Sequence, residues 1–125
     1  GAVIVSTPQD IALLDARKGL NMFRKVDVPV YGIIENMSYF LCPNCNERTE
    51  IFSHGGAKRV AETLGTDFLG EIPLAMDIRE TSDSGRPIVV SDPGSDFAKV
   101  YLDIAEKIWQ KIGQETVQAP KIVVQ

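Results

Sequence analysis

The chain has 125 residues, 44% of them hydrophobic, and a formal net charge of −4. That length suits one domain burying roughly two-thirds of the surface its unfolded chain exposes. The acidic balance argues against a nucleic-acid footprint, and no apolar run approaches the roughly 20 residues that a membrane span needs.

The chain opens Gly1-Ala2-Val3-Ile4-Val5, already inside an apolar strand, Ala2 to Ser6. A strand of this kind wants neighbours on both sides and helices on both faces, so the expectation is the C-terminal piece of something longer. Thr7-Pro8-Gln9-Asp10 reads as a helix start, with Thr7 as N-cap, Pro8 in the first helical position and Asp10 as the acid of a capping box. Ile11, Leu14, Leu20 and Phe23 supply an apolar face, weakened by Gly19. Arg24 and Lys25 complement the dipole at its C-terminus.

A second strand, Val30 to Glu35, ends on polar Asn36 and leads into an insertion near 39–52 that carries Cys42 and Cys45. Arg48 to Phe52 is a possible short strand. Ser53-His54-Gly55-Gly56 then turns into a helix with Ala57, Val60, Ala61 and Leu64 on one face, stopped by Gly65. Phe68 to Ile72 is a third strand, closed by Pro73. Asp77 to Ser82 reads as one or two helical turns ended at Gly85, and Pro87 to Val90 as extended. Asp92-Pro93 opens the clearest helix, with Phe97, Val100, Tyr101, Ile104, Ile108 and Ile112 at helical spacing. Gly113 ends it, and 114–125 reads as a loose polar tail.

Strands alternating with helices predict an α/β fold, a parallel sheet with flanking helices over residues 1–113. Ligands in such sheets bind beyond the carboxyl ends of the strands, here Ser6-Thr7, Asn36 and Ile72-Pro73.

The two cysteines of the chain form the run Cys42-Pro43-Asn44-Cys45. A C-x-x-C brings two thiolates to one metal from a tight turn, whereas structural zinc and iron–sulfur clusters usually want four ligands. A full thiolate site therefore needs a second chain, and a homodimer is the natural arrangement. A thioredoxin-like redox pair and a pair of inert thiols remain as alternatives, although no helical pattern follows Cys45. The spacing does not resemble a secreted disulfide framework and points to a reducing compartment.

Asn36 at a strand end can donate to and accept from one base edge, as Asn does with adenine; the simpler local reading is a turn residue bonded to its own backbone. The Thr7–Asp10 helix start can hold an anion, with an ordinary cap as the simpler reading. Gly55-Gly56-Ala57-Lys58 lacks P-loop spacing and reads as a helix entry. His54 reads as a turn residue able to approach the cysteine loop. Asp77, Arg79 and Glu80 read as a solvated face with local ion pairs, and Trp109 as core packing.

Four segments in order, STPQDIALLDARKG, GIIENMSYFLCPNC, GGAKRVAETLG and FLGEIPLAMDIRETSDSGRPIV, resemble the C-terminal half of the Mrp/ApbC-type P-loop ATPases. These are iron–sulfur carriers of the MinD/ParA group, with NUBPL-type complex I assembly factors among them. The likeness runs from Gly1 to about Ile112. It implies that Cys42 and Cys45 bind a bridging [4Fe–4S] cluster in a homodimer and pass it to apo iron–sulfur recipient proteins. It also implies that Asn36 and the backbone around Pro73 touch the adenine of ATP, with no nucleic acid or membrane partner. The family's P-loop, switch region and magnesium-binding carboxylate lie upstream of the STPQD strand, and none is in this sequence. Without the phosphate cradle this polypeptide alone is expected to turn over no ATP. The expected location is cytoplasmic, or the mitochondrial matrix if an upstream segment carries an address.

A non-enzymatic module dimerised by zinc stands beside this reading, because thiolates accept both metals. A truncated product that aggregates through its first strand is a third.

Overall fold

The computed structural model describes residues 1–114. In chain order the elements are β1 (Ala2–Ser6), α1 (Asp10–Lys25), β2 (Val30–Leu41), β3 (Arg48–Thr49), α2 (Gly56–Leu64), β4 (Phe68–Leu74), α3 (Met76–Asp83), α4 (Ile88–Ser91) and α5 (Asp96–Gln114). β1 and β4 each pair with β2 in parallel, so β2 is central, and β3 pairs antiparallel with the outer end of β2.

The apolar residues of β2 alternate between the two faces of the sheet, as strand geometry dictates. Ile33 joins Ile4, Leu13, Leu20 and Val60 in a core beneath α1 and α2. Its neighbour Ile34 joins Leu69, Ile72 and Ile104 in a core beneath α5. The result is a three-layer α/β arrangement, the class that the strand–helix alternation predicts. Each fully buried aliphatic side chain adds roughly 1.5–3 kcal/mol of transfer free energy. Gly70 lets α5 lie close on β4, since a Cβ there would stand 2.9 Å from Ile104.

Several local expectations change. α1 starts at Asp10, with Gln9 at the N-cap position and no side-chain cap. The Thr7 hydroxyl donates to Gln9 Oε1 at 3.1 Å. The buried face of α1 is Leu13, Ala16 and Leu20; Ile11 is 75% exposed and Leu14 56%. The spacing of 3 and 4 fits both sets, and Ile4 and Ile33 select the one that meets the sheet.

β2 does not end at Asn36 but runs on to Leu41, and β4 runs through Pro73 to Leu74. A register shift between Asn36 and Phe40 spans Pro73 on the partner strand, where its missing N–H breaks no ladder bond. Within the stretch expected to be extended, Ile88 to Ser91 is helical: the Val90 and Ser91 N–H groups donate to the Pro87 carbonyl at 2.8 and 3.0 Å, forming α4, and only Pro87 keeps an extended ψ of 151°. α5 opens at Asp96, where the Ser95 hydroxyl accepts the Ala98 N–H at 3.1 Å, and it extends past Gly113 to Gln114. Trp109 is 75% exposed, not core; it stands about 140° around the helix from buried Ile104. The helix α2, its Gly65 stop (φ 59°) and the two turns of α3 match expectation. The expectation for 115–125 lies outside the described residues.

Candidate functional site

β2 continues beyond β1 and carries the cysteines outward on a hairpin with β3. The Cys42 N–H donates to the Glu47 carbonyl at 3.0 Å, and the Asn46 N–H donates to the Cys42 carbonyl at 2.8 Å. Asn46 turns the chain with φ 58°, a left-handed conformation that Asn tolerates. Both cysteines are free thiols, Cys42 half-buried and Cys45 exposed. Hydrogen bonds from the Asn44 backbone, then the Cys45 backbone, then the Cys45 side chain hold the Cys42 thiol below its ordinary range. Donors converging on one sulfur favour a thiolate, the form that binds metal. The turn thus presents two sulfurs to solvent, half of a four-ligand site.

At the root of the hairpin lies a polar cluster that sequence reasoning missed. Glu35 is 0% exposed. Its carboxylate accepts the Gly55 N–H at 3.0 Å, the Ala57 N–H at 2.8 Å and the Ser38 hydroxyl at 2.7 Å. It therefore caps α2, whose first N–H groups lack partners within the helix. The one available signal was periodicity, since Glu35 follows Ile33 at strand spacing on the same buried face. His54 approaches this root rather than the cysteines, with Nδ1 3.2 Å from Ser38 Oγ and 3.7 Å from Glu35 Oε1, and Nε2 3.5 Å from Glu71 Oε1. Arg48 lies over the Tyr39 ring, 4.0 Å from its centroid, with Nη2 3.5 Å from Glu71.

Asn36 and Pro73 do come together: Asn36 stands opposite Ile72, the residue before Pro73. The Asn36 carboxamide oxygen accepts the Met37 N–H at 3.0 Å, the contact expected of a turn residue. Met37 has φ 54°, so the strand is irregular between Asn36 and the cysteines. Asp77, Arg79 and Glu80 do not form a separate site; Arg79 pairs with Glu80 at 3.0 Å and Asp83 at 3.1 Å on an exposed helix. Beside the cysteine turn, a cleft of about 760 Å³ is lined by Leu41, Cys42, Met76, Glu80, Asp92 and Phe97, among others. Neither Asn36 nor Pro73 lines it.

The model of the ParA family described as "NUBPL iron-transfer P-loop NTPase" matches residues 1–109. The chain is 57% identical over 112 residues to the "Iron-sulfur cluster transfer protein NUBPL" of Dictyostelium discoideum, covering 90% of this chain and 35% of that protein. It spans about a third of the length of that relative. Among solved structures, a nucleotide-binding protein from Archaeoglobus fulgidus, in complex with ADP and with cobalt found, is 42% identical. The match has a TM-score of 0.63 and covers 78% of this chain and 39% of that one. The Pyrococcus furiosus cell division ATPase MinD, 22% identical with a TM-score of 0.68 over 89% of this chain and 44% of that one, shares the fold. A parallel sheet between helix layers, a free cysteine pair just past the end of its central strand, and a family match over residues 1–109 agree: the chain belongs to the NUBPL family of iron-transfer P-loop NTPases.

Proposed function

We propose that this chain is the cluster-holding part of an iron–sulfur cluster carrier, with Cys42 and Cys45 binding one edge of a [4Fe–4S] cluster. The observation that carries the reading is the cysteine turn itself. Two free thiols stand together on an exposed hairpin, and backbone donors favour the thiolate of Cys42. Two thiolates leave a cubane half-ligated, so a second copy supplies the other two through its own hairpin. The cluster is cargo, and its exposed position leaves it open to thiolate exchange with an apo iron–sulfur protein.

Asn36 and the backbone at Pro73 would flank an adenine base at the carboxyl ends of β2 and β4. The Asn36 carboxamide oxygen accepts the Met37 N–H and keeps a second lone pair, with the amide N–H groups, for a base edge, on the same strand that leads to Cys42. ATP binding and hydrolysis belong to the complete protein, where a phosphate cradle adjoins this part.

Anaerobic reconstitution with iron and sulfide, read by visible absorption and by iron and sulfide counts, tests the reading. The expected product is brown, carries about four cluster irons, matched by about four sulfides, per two chains, and fails to form when Cys42→Ala and Cys45→Ala are combined. A colourless protein that takes up zinc through the same cysteines would replace the carrier reading with a zinc-bridged module.

A further inference from the structure

We propose that Glu35, His54 and Glu71 form a mononuclear site for a divalent transition-metal ion, separate from the cysteine pair. Glu35 and Glu71 stand directly opposite each other on adjacent parallel strands. Like charges at such a position repel, and one of these carboxylates is fully buried. A buried carboxylate is stabilised by hydrogen bonds and by a nearby cation, and Glu35 has the first from Ser38, Gly55 and Ala57. No lysine or arginine among the described residues pairs with Glu35; the group facing its charge is His54, at 3.7 Å.

One ring nitrogen of His54 and one oxygen of each glutamate lie within 4.8 Å of one another. Ligands around a tetrahedral ion with bonds of about 2.0–2.2 Å sit about 3.3–3.6 Å apart, so a shift of about 1 Å closes the set. The side chains that must move can do so, since His54 is 30% and Glu71 28% exposed. Glu35 provides the rigid wall: Oε1 accepts the Ser38 hydroxyl and the Gly55 N–H, and Oε2 accepts the Ala57 N–H, which leaves the remaining lone pair on Oε2 for a metal. One imidazole and two carboxylates suit iron(II), cobalt(II) or zinc, and three protein ligands leave a position for water.

Arg48 is the competitor. Its Nη2 lies 3.5 Å from Glu71 and 3.4 Å from His54 Nδ1, both long contacts, and its side chain is 43% exposed. The guanidinium stands in for a cation at the rim and leaves when an ion enters. A bound ion would then join β2, the turn at His54 and β4, bracing the hairpin at its root.

The test uses the chain with Cys42→Ala and Cys45→Ala, titrated with cobalt(II) chloride, so it is independent of whether the cysteines hold a cluster. The expected result is one cobalt per chain, with weak ligand-field absorption and no thiolate charge-transfer band. Adding His54→Ala or Glu71→Gln should weaken binding at least about tenfold, with circular dichroism unchanged. Adding Arg48→Gln should tighten it several-fold. No cobalt uptake by the cysteine-free chain, or uptake indifferent to His54→Ala, overturns the proposal.

Discussion

The carboxylate of Glu35, on the central strand, accepts the Ala57 N–H at 2.8 Å and so fixes the start of the helix that follows the cysteine hairpin. Glu35→Ala removes this bond together with those from Gly55 and Ser38. The Gly55 and Ala57 N–H groups then lack this acceptor, and the Ser38 hydroxyl keeps only His54 Nδ1, 3.2 Å away. The expected loss is about 2–4 kcal/mol, at roughly 1–3 kcal/mol per unsatisfied buried group with partial rescue by water. Urea denaturation followed by circular dichroism measures it, and a midpoint equal to that of the unaltered chain would contradict the capping role.

Helix α5 offers a contrast within one element. Ile104 is 6% exposed and Trp109 75%. Ile104→Ala should cost about 2–4 kcal/mol by opening a cavity over β4. Trp109→Ala should stay within about 0.5 kcal/mol, the range of exposed substitutions. Thermal melts of the two variants check the order, and a larger shift for Trp109 would mean that its face is covered.

The Cys42 thiol is held below its ordinary range by backbone and side-chain donors in the cysteine turn. The thiolate is the reactive form and accumulates as pH rises through the pKa. Alkylation of Cys42 in metal-free protein should therefore rise at a lower pH than alkylation of glutathione. In concentrated urea, where the turn is lost, the midpoint should move up to the ordinary thiol value. Mass spectrometry of the alkylated peptide across a pH series gives both curves, and coincident midpoints would remove the role of the donors.

The α/β order, the cysteine pair and the helix α2 were legible because each rests on local signals: apolar runs, a C-x-x-C, and glycines at a helix entry and exit. The inward face of α1 was not, since Ile11 and Leu13 are both apolar and only the sheet decides which is buried. Trp109 misled because aromatic size suggests burial, while its angle around α5 turns it outward. Glu35 escaped notice for a related reason. Its partners at 55 and 57 are far along the chain, and a carboxylate in an apolar strand announces no partner until the fold brings one.

The chain lacks the G-x-x-x-x-G-K-[ST] run that cradles nucleotide phosphates. Purified chain with ATP and magnesium should release phosphate at the rate of a protein-free blank. Turnover that follows the chain through successive purification steps would show a phosphate site of another kind.

Native mass spectrometry of the anaerobically reconstituted chain tests the central claim most directly. The account predicts one dominant species, two chains plus one [4Fe–4S] cluster, with apo-monomer in its place when both cysteines are alanine. A cluster carried by single chains, or a dimer that persists without cluster and without cysteines, would contradict a cluster bridged through Cys42 and Cys45.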